Sequence, residues 1–134
     1  MTRRVVRAEV GLAETSLFIA VEQKHRLVGN PPPRVRVSVI TIGELRLGVL
    51  AANDGPTRAR RLETLSRAEA FDPIPVDSMV AHAWAILRLA LRDRGVRMPL
   101  NDSWIAATAI AHKLSVVSQD SDYDHVPGLS VIRV

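Results

Sequence analysis

The sequence predicts an α/β domain built on a mainly parallel sheet. Short apolar runs rich in β-branched residues alternate along the chain with longer segments whose apolar residues recur at helical spacing. Strands separated by helices are typical of parallel sheets, because a parallel connection needs a long crossover that is usually helical. The 134 residues fit a single domain, residues 1–134, and no repeat or long linker divides them.

The first half of the chain predicts two strands and three helices. A strand over residues 7–13 is followed by an amphipathic helix in "SLFIAVEQKHRL", for which Ser16 is the expected N-cap, and "GNPPPR" breaks this helix. The alternating, β-branched run "VRVSVI" predicts the second strand over residues 35–40. Two further helices are predicted in "TIGELRLGVLAA" and in "GPTRARRLETLSRAEA".

The second half predicts two helices, two strands and one short edge strand. "PIPV", residues 73–76, is the candidate edge strand. The next helix begins at an acidic cap, Asp77, and ends at Gly95, and the small-residue helix "NDSWIAATAIAH" begins at Asn101. The runs "LSVVS", residues 114–118, and "LSVIRV", residues 129–134, predict the remaining strands.

The composition excludes several classes of protein. The chain has no cysteine, which excludes disulfides and thiolate metal sites and gives no sign of an oxidising compartment. No apolar stretch approaches the ~18 uninterrupted residues of a membrane span. We therefore expect a cytoplasmic protein that does not cross a membrane.

The charge is basic and comes almost entirely from arginine. The formal net charge is +4, and Lys24 and Lys113 are the only lysines. Arginine binds phosphate through its planar fork, which favours an anionic partner such as RNA or DNA. GC-rich codon usage would also explain the preference for arginine. The arginines of residues 88–97 could line an RNA surface or form a solvated helical face.

Acidic residues occur where an open parallel sheet gathers its functional groups, at strand ends and helix starts. The positions are Glu14, Glu44, Asp102 and the run of Asp120, Asp122 and Asp124. Carboxylates that meet at one point repel each other, and they stay ionised together only if a cation offsets the repulsion. Oxygen ligands select hard cations such as Mg²⁺ or Mn²⁺, which can activate water for the hydrolysis of phosphodiesters.

Four sequence motifs resemble, in order, those of one enzyme family. They are "ETSLFIA" at residues 14–20, "SVITIGELRLG" at 38–48, "PLNDSWIAATA" at 99–109 and "VVSQDSDYDHVPGL" at 116–129. Together they span nearly the whole chain. With these motifs in this order, the chain resembles a PIN-domain ribonuclease, specifically the VapC toxins of VapBC toxin–antitoxin systems.

The resemblance implies a fold, an activity and partners. The implied fold is a PIN-like three-layer α/β/α sandwich, usually dimeric. The implied activity is that of a toxin acting as a Mg²⁺-dependent endoribonuclease, with tRNA or ribosomal RNA as the usual targets and with Mn²⁺ as a substitute metal. A VapB-type antitoxin would wrap the toxin and occupy its acidic site. The apolar run "LRLGVLAA" could bind an antitoxin helix or be buried in the core.

The resemblance also assigns the site residues. The catalytic acids are Glu14, Glu44, Asp102 and Asp120, and the metal ligands are Glu14, Asp102, Asp120 and Asp122. The Asp-x-Asp-aromatic turn leaves the choice between its two acids open. Ser16 and Ser118 fall where hydroxyls of the family orient the first and last acids.

One residue departs from the family pattern. The first acid of the family is normally aspartate, and here it is Glu14, whose extra methylene gives the carboxylate a longer reach and more rotamers to lose. Mg²⁺ demands near-ideal octahedral geometry. The chain could therefore be a working endoribonuclease, or an impaired PIN domain that binds RNA or antitoxin and cuts poorly.

Each acid also has a purely structural interpretation. Asp102 could be a helix N-cap, Glu44 a solvated helical residue, and "DSDYD" a solvated turn. The chain would then be a non-enzymatic interaction domain. Trp84 and Trp104 are expected in the core or at a dimer interface.

Overall fold

The computed structural model describes residues 9–134, which form four strands and five helices. The strands are β1 (Val10–Ala13), β2 (Arg34–Arg36), β3 (Ser115–Ser118) and β4 (Val131–Arg133). The helices are α1 (Thr15–Glu22), α2 (Val39–Leu50), α3 (Gly55–Glu69), α4 (Ser78–Asp93) and α5 (Leu100–Ala111). The predicted alternation of strands and helices is confirmed.

The sheet of the described residues is parallel throughout, with strand order β2-β1-β3-β4. β1 is a central strand, and its Gly11 lies opposite Val35 of β2 on one side and Ser115 of β3 on the other. The chain passes from β1 outward to β2 and later returns to the other side of β1 as β3. The carboxyl ends of β1 and β3 therefore form the switch point at which open α/β sheets bind ligands.

Two apolar clusters cover the two faces of this sheet. Successive strand residues point to opposite faces, so Leu12 and Val116 belong to one cluster while Ala13 and Val117 belong to the other. The first cluster includes residues of α4 and α5, namely Val80, Leu87, Leu91, Ile105 and Ala106. The second includes residues of α1, α2 and α3, namely Leu17, Phe18, Leu45, Val49, Leu65 and Ala68. The predicted three-layer α/β/α sandwich is confirmed.

A tryptophan pair joins α4 to α5. The rings of Trp84 and Trp104 are stacked, with centroids 4.3 Å apart and planes 5° apart. Trp84 Nε1 donates a hydrogen bond of 3.0 Å to Ser103 Oγ, which in turn donates to the Leu100 carbonyl at 2.6 Å. The pair thus fixes the first turn of α5, and both rings pack against the core as expected.

The predicted boundary between the second strand and the next helix is wrong. The strand was expected over residues 35–40, but β2 is Arg34–Arg36, and Val39 and Ile40 are the first residues of α2. Ser38 caps α2, because its hydroxyl accepts a hydrogen bond of 3.1 Å from the Ile40 amide. This cap outweighs the strand preference of the β-branched residues that follow it.

The predicted edge strand at residues 73–76 is also wrong. Only an isolated bridge between Ser38 and Ile74 forms there, with Ile74 donating to the Val37 carbonyl at 2.8 Å. Pro73 and Pro75 flank Ile74, and neither has the amide hydrogen that a longer ladder requires.

The junction of β1 and α1 differs from the prediction as well. Ser16 is not the N-cap, because extended backbone continues through Glu14, which occupies that position without a side-chain capping bond. The helix also ends at Glu22, earlier than "SLFIAVEQKHRL" suggests. Residues 7 and 8 of the predicted first strand lie outside the described residues. The helices predicted over 55–70 and from the Asp77 cap to Gly95 are confirmed to within two residues.

No helix within residues 9–134 combines the length and the apolar character needed to cross a membrane.

Gly11 offers a test of how tightly β1 is enclosed. A Cβ atom there would lie 2.5 Å from Val117 Cγ2 and 3.0 Å from Pro32 Cγ. Gly11→Ala should therefore lower the free energy of unfolding by about 1–3 kcal/mol, the usual cost of overpacking. Gly43→Ala is the matched control, since nothing lies within 4 Å of its Cβ, and it should stabilise the helix by about 0.5–1 kcal/mol. Urea unfolding measures the free energy of unfolding of both variants. Equal stability of Gly11→Ala and wild type would show that the atoms around Gly11 leave room for a Cβ.

Candidate active site

The acids expected to form the site lie at the carboxyl edge of the sheet. Glu14 directly follows β1, and Asp120 comes two residues after β3. Glu44 lies in the second turn of α2, and Asp102 lies in the first turn of α5. Four segments that are distant in the chain therefore place acids at this edge of the sheet. That these acids form one site stays a prediction.

Glu14 is anchored by both its backbone and its carboxylate. Its amide donates to the Val117 carbonyl at 3.2 Å, which continues the pairing of β1 with β3. The side chain is only 4% exposed, and its Oε1 accepts hydrogen bonds from the hydroxyls of Ser16 and Ser118, the latter at 2.8 Å. Burial raises the pKa of Glu14 and the charge of Asp120 adds to the effect, whereas the hydroxyl bonds oppose it.

Ser118 joins the two acids of the switch point. Its hydroxyl donates to Glu14 and accepts a hydrogen bond of 2.9 Å from the Asp120 amide. Ser118 is completely buried at the last position of β3. The hydroxyl therefore fixes the start of the acidic turn relative to the end of β1.

Glu44 is held by a pair of threonines that sequence reasoning missed. Thr15 Oγ1 donates to Glu44 Oε1 at 2.6 Å, and the hydroxyls of Thr15 and Thr41 are 3.1 Å apart. The hydroxyl of Thr15 has one proton, which it donates to Glu44. In the bond between the two threonines, Thr41 is therefore the donor and Thr15 the acceptor. The signals in the sequence were the position of Thr15 directly after Glu14 and that of Thr41 one turn before Glu44.

Asp102 is not the N-cap of its helix. Pro99 occupies the N-cap position of α5, and no side chain caps it. Asp102 is half-buried in the first turn, and its Oδ1 accepts a hydrogen bond of 3.3 Å from the Tyr123 hydroxyl. Burial raises the pKa of Asp102, and the charges of Glu44, Asp122 and Asp120 raise it further.

Tyr123 is a third residue that sequence reasoning missed. It is 1% exposed and lies in the turn after β3. Burial raises the pKa of the Tyr123 phenol well above its usual value, and the charges of Glu14, Asp102 and Glu44 act in the same direction. The phenol therefore stays protonated and serves the acids as a hydrogen-bond donor.

The remaining acids of the turn separate into two environments. Asp122 is exposed and lies near enough to Asp102 to raise the pKa of that carboxyl. Asp124 is exposed and forms an ion pair with Arg133, whose Nη2 donates to both carboxylate oxygens at 2.5 and 2.6 Å. Asp124 is thus a surface residue, in line with the interpretation of "DSDYD" as a solvated turn at this position.

The site acids have no arginine partner among residues 9–134. The acidic members of the ion pairs found there are Glu9, Glu63, Glu69, Asp72, Asp93 and Asp124. Only neutral hydroxyls hold Glu14, Glu44 and Asp102. No cationic side chain of the described residues therefore forms an ion pair with the site acids. Arg133, which is paired with Asp124, is close enough for the charge of Asp120 to raise its pKa.

The residues match a hard divalent cation in their chemistry. The donors are all oxygens, and the charges that raise the pKa of Asp102 would be offset by such an ion. Within the described residues, however, no three histidine, cysteine, aspartate or glutamate side chains lie close enough together to hold one ion.

Comparison with known proteins identifies the family. A sequence model of the PIN domain matches residues 13–129. Ribonuclease VapC4 of Mycobacterium tuberculosis is 46% identical over 127 residues, covering 92% of this chain and 95% of that protein. The chain belongs to the VapC family of PIN-domain proteins. Ribonuclease VapC5 of the same organism is 41% identical over 125 residues, 92% of this chain and 93% of that protein.

Two solved structures resemble this VapC-family chain. The VapBC-5 toxin–antitoxin structure from M. tuberculosis matches with a TM-score of 0.86 and 40% identity, covering 95% of this chain and 100% of that chain. The FitAcB structure from Neisseria gonorrhoeae matches with a TM-score of 0.71 and 26% identity, covering 92% and 96% of the two chains.

Ser118→Ala tests the hydroxyl link between β1 and the acidic turn. Removing the hydroxyl leaves the buried Glu14 carboxylate with one donor fewer, so we expect a loss of about 1–3 kcal/mol in the free energy of unfolding. The control is Ser115→Ala, a serine of the same strand as Ser118. It removes an exposed hydroxyl that is bonded to Ser130, so the free energy of unfolding should change by less than about 0.5 kcal/mol. Urea unfolding in EDTA measures both variants. Equal losses would show that the link has no special role.

Proposed function

We propose that this chain is the toxin of a type II toxin–antitoxin system and acts as a metal-dependent endoribonuclease. One observation carries the proposal. The Asp102 carboxylate is half-buried, the negative charges of Glu44, Asp120 and Asp122 raise its pKa, and none of these acids forms an ion pair within the described residues. Such a cluster stays fully ionised only if it binds a cation; otherwise one or more of its carboxylates take up a proton. The ribonuclease names of the relatives support the reaction class.

The acids divide into proposed metal ligands and one further catalytic acid. Glu14, Asp102, Asp120 and Asp122 would hold Mg²⁺, or Mn²⁺ in its place. The chemistry that such a cation supplies is polarisation of a phosphoryl oxygen and activation of a water molecule. Glu44, oriented by Thr15, completes the catalytic set. Ser16 and Ser118 hold the carboxylate of Glu14 in one direction.

Arginines near the start of α5 would position the RNA backbone. Arg94 and Arg97 are exposed in the connection between α4 and α5, within eight residues of Asp102. Their guanidinium groups can bind phosphate oxygens in pairs. The proposed substrate is tRNA or ribosomal RNA, with phosphate contacts that hold the strand and acids that act on one of its bonds.

The partner proposed for this toxin is a VapB-type antitoxin. The matched M. tuberculosis structure is of a VapBC toxin–antitoxin system. On this chain, Leu47 and Leu50 of α2 are 67% and 72% exposed, and Leu47 lies one turn beyond Glu44. An antitoxin helix that covers these leucines would lie beside the acids. We also propose that the toxin forms a homodimer.

Two other functions compete with this one. An impaired PIN domain would bind the metal and RNA but cut poorly because of Glu14. A non-enzymatic interaction domain would not bind a divalent cation specifically. Titration with Mn²⁺ separates the second alternative from the others, and turnover separates the first.

Asp102→Asn tests the proposed activity. Purified protein should cleave a pool of tRNA and ribosomal RNA in Mg²⁺ or Mn²⁺, and EDTA should abolish the cleavage. Asp102→Asn should reduce the rate by more than 100-fold, since changes outside the first ligand shell alone cost about 10–100-fold. Asp93→Asn, at an exposed acid at the end of α4, is the matched control and should cut normally. Cleavage that persists in EDTA would refute the metal-dependent mechanism.

Glu14→Asp tests the departure from the family pattern. Aspartate restores the usual chain length of the first acid, so we expect this variant to keep or raise the cleavage rate. Glu22→Asp, the same change at the other end of α1, should have no effect. A loss of about 100-fold, as a misplacement of about 1 Å can cause, would show that Ser16 and Ser118 are arranged for glutamate.

A further inference from the structure

We propose that Tyr123 is a positioning residue of this site, whose hydroxyl holds the Asp102 carboxylate in the direction needed to bind a divalent cation. The inference rests on the proposed function, because it assigns Asp102 the role of a metal ligand. It goes further in giving a task to a residue that otherwise counts as part of the apolar core.

The location of Tyr123 makes its hydroxyl a rigid donor. The residue lies between two acids of the turn after β3, yet its side chain is 1% exposed and belongs to the same buried cluster as Leu12, Ile105 and Val116. A packed aromatic ring has only two side-chain torsions to adjust. Packing of the ring in the core therefore fixes the position of the O–H group, which contacts Asp102 at the carboxyl edge of the sheet.

Asp102 needs such a donor because its other neighbours repel it. The charges of Glu44, Asp120 and Asp122 all disfavour a carboxylate at this position. Within residues 9–134, Tyr123 is the one side chain hydrogen-bonded to Asp102. Without that bond, repulsion would turn the carboxylate towards solvent and away from the other acids.

The bond leaves the carboxylate able to bind a cation. Tyr123 contacts Oδ1 of Asp102, so that Oδ2 is free of side-chain hydrogen bonds in the described residues. The distance of 3.3 Å is longer than the usual ~2.5–3.0 Å of an O–H···O bond. Hydrogen bonds of catalytic groups are often long in unliganded proteins and shorten in the working complex. Carboxylates that bind metals are themselves commonly hydrogen-bonded from behind in this way.

Tyr123→Phe is the direct test, since it removes one oxygen and keeps the ring. We expect the Kd for Mn²⁺, measured from the electron paramagnetic resonance of free Mn²⁺, to rise about 10-fold. RNA cleavage should weaken in low Mn²⁺ and recover largely in saturating Mn²⁺. Thr108→Val is the matched control, because it removes a fully buried hydroxyl of α5 that bonds the Trp104 carbonyl and touches no acid. Its Kd for Mn²⁺ should equal that of wild type.

A second measurement takes its deciding signal from the wild-type protein. Tyr123 is the only tyrosine of the chain. Mg²⁺ binding should therefore produce a tyrosine ultraviolet difference spectrum in wild type that is missing from Tyr123→Phe. A wild-type protein that binds Mg²⁺ without this signal would overturn the inference.

The remaining outcomes separate this inference from the proposed function. If wild type binds Mn²⁺ and Tyr123→Phe binds it equally well, the positioning role is wrong and the proposed function stands. If Tyr123→Phe and Thr108→Val weaken binding equally, the effect is a general loosening of α5 and the role is again wrong. If wild type binds no Mn²⁺, both proposals fail together.

Discussion

The parallel pairing of β3 with β1 is the constraint on which the candidate site depends. It joins residues that are far apart in the chain, since the hydrogen bond between Ser118 and Glu14 spans 104 positions. An unfolded chain cannot hold these groups together, because closing so long a loop without compensating contacts is entropically unfavourable. The acids therefore exist as a site only when the sheet is complete, and the apolar clusters on both faces supply the energy that completes it.

The acids are restrained by hydroxyls in an arginine-rich chain that could have supplied cations. Serines hold Glu14, threonines hold Glu44, and a tyrosine holds Asp102. A hydroxyl orients a carboxylate and gives the buried oxygen a hydrogen bond, and it leaves the negative charge in place. An arginine in the same place would neutralise the charge and compete with a metal ion. The neutral donors thus keep the crevice rigid and negative at the same time.

The sequence predicted the fold and the places of the acids because both depend on local patterns. Strand ends and helix starts can be recognised from periodicity and caps, so Glu14, Glu44 and Asp102 could be assigned to one edge of a parallel sheet. The hydroxyl partners could not, because Thr15 and Tyr123 meet their acids only through tertiary contacts. Ser16 was misassigned for a related reason. A serine near a helix start normally caps the helix, but here the buried carboxylate of Glu14 competes for its hydroxyl.

The stacked tryptophans give the molecule an optical property of its own. Trp84 and Trp104 are the only two tryptophans in the chain, and their parallel rings are 4.3 Å apart. The electronic transitions of two indoles at that separation couple, so we expect the pair to give a circular dichroism signal that separated indoles would lack. One ring belongs to α4 and the other to α5, the helix that carries Asp102. The circular dichroism and fluorescence of this pair therefore report whether α5 is packed against α4.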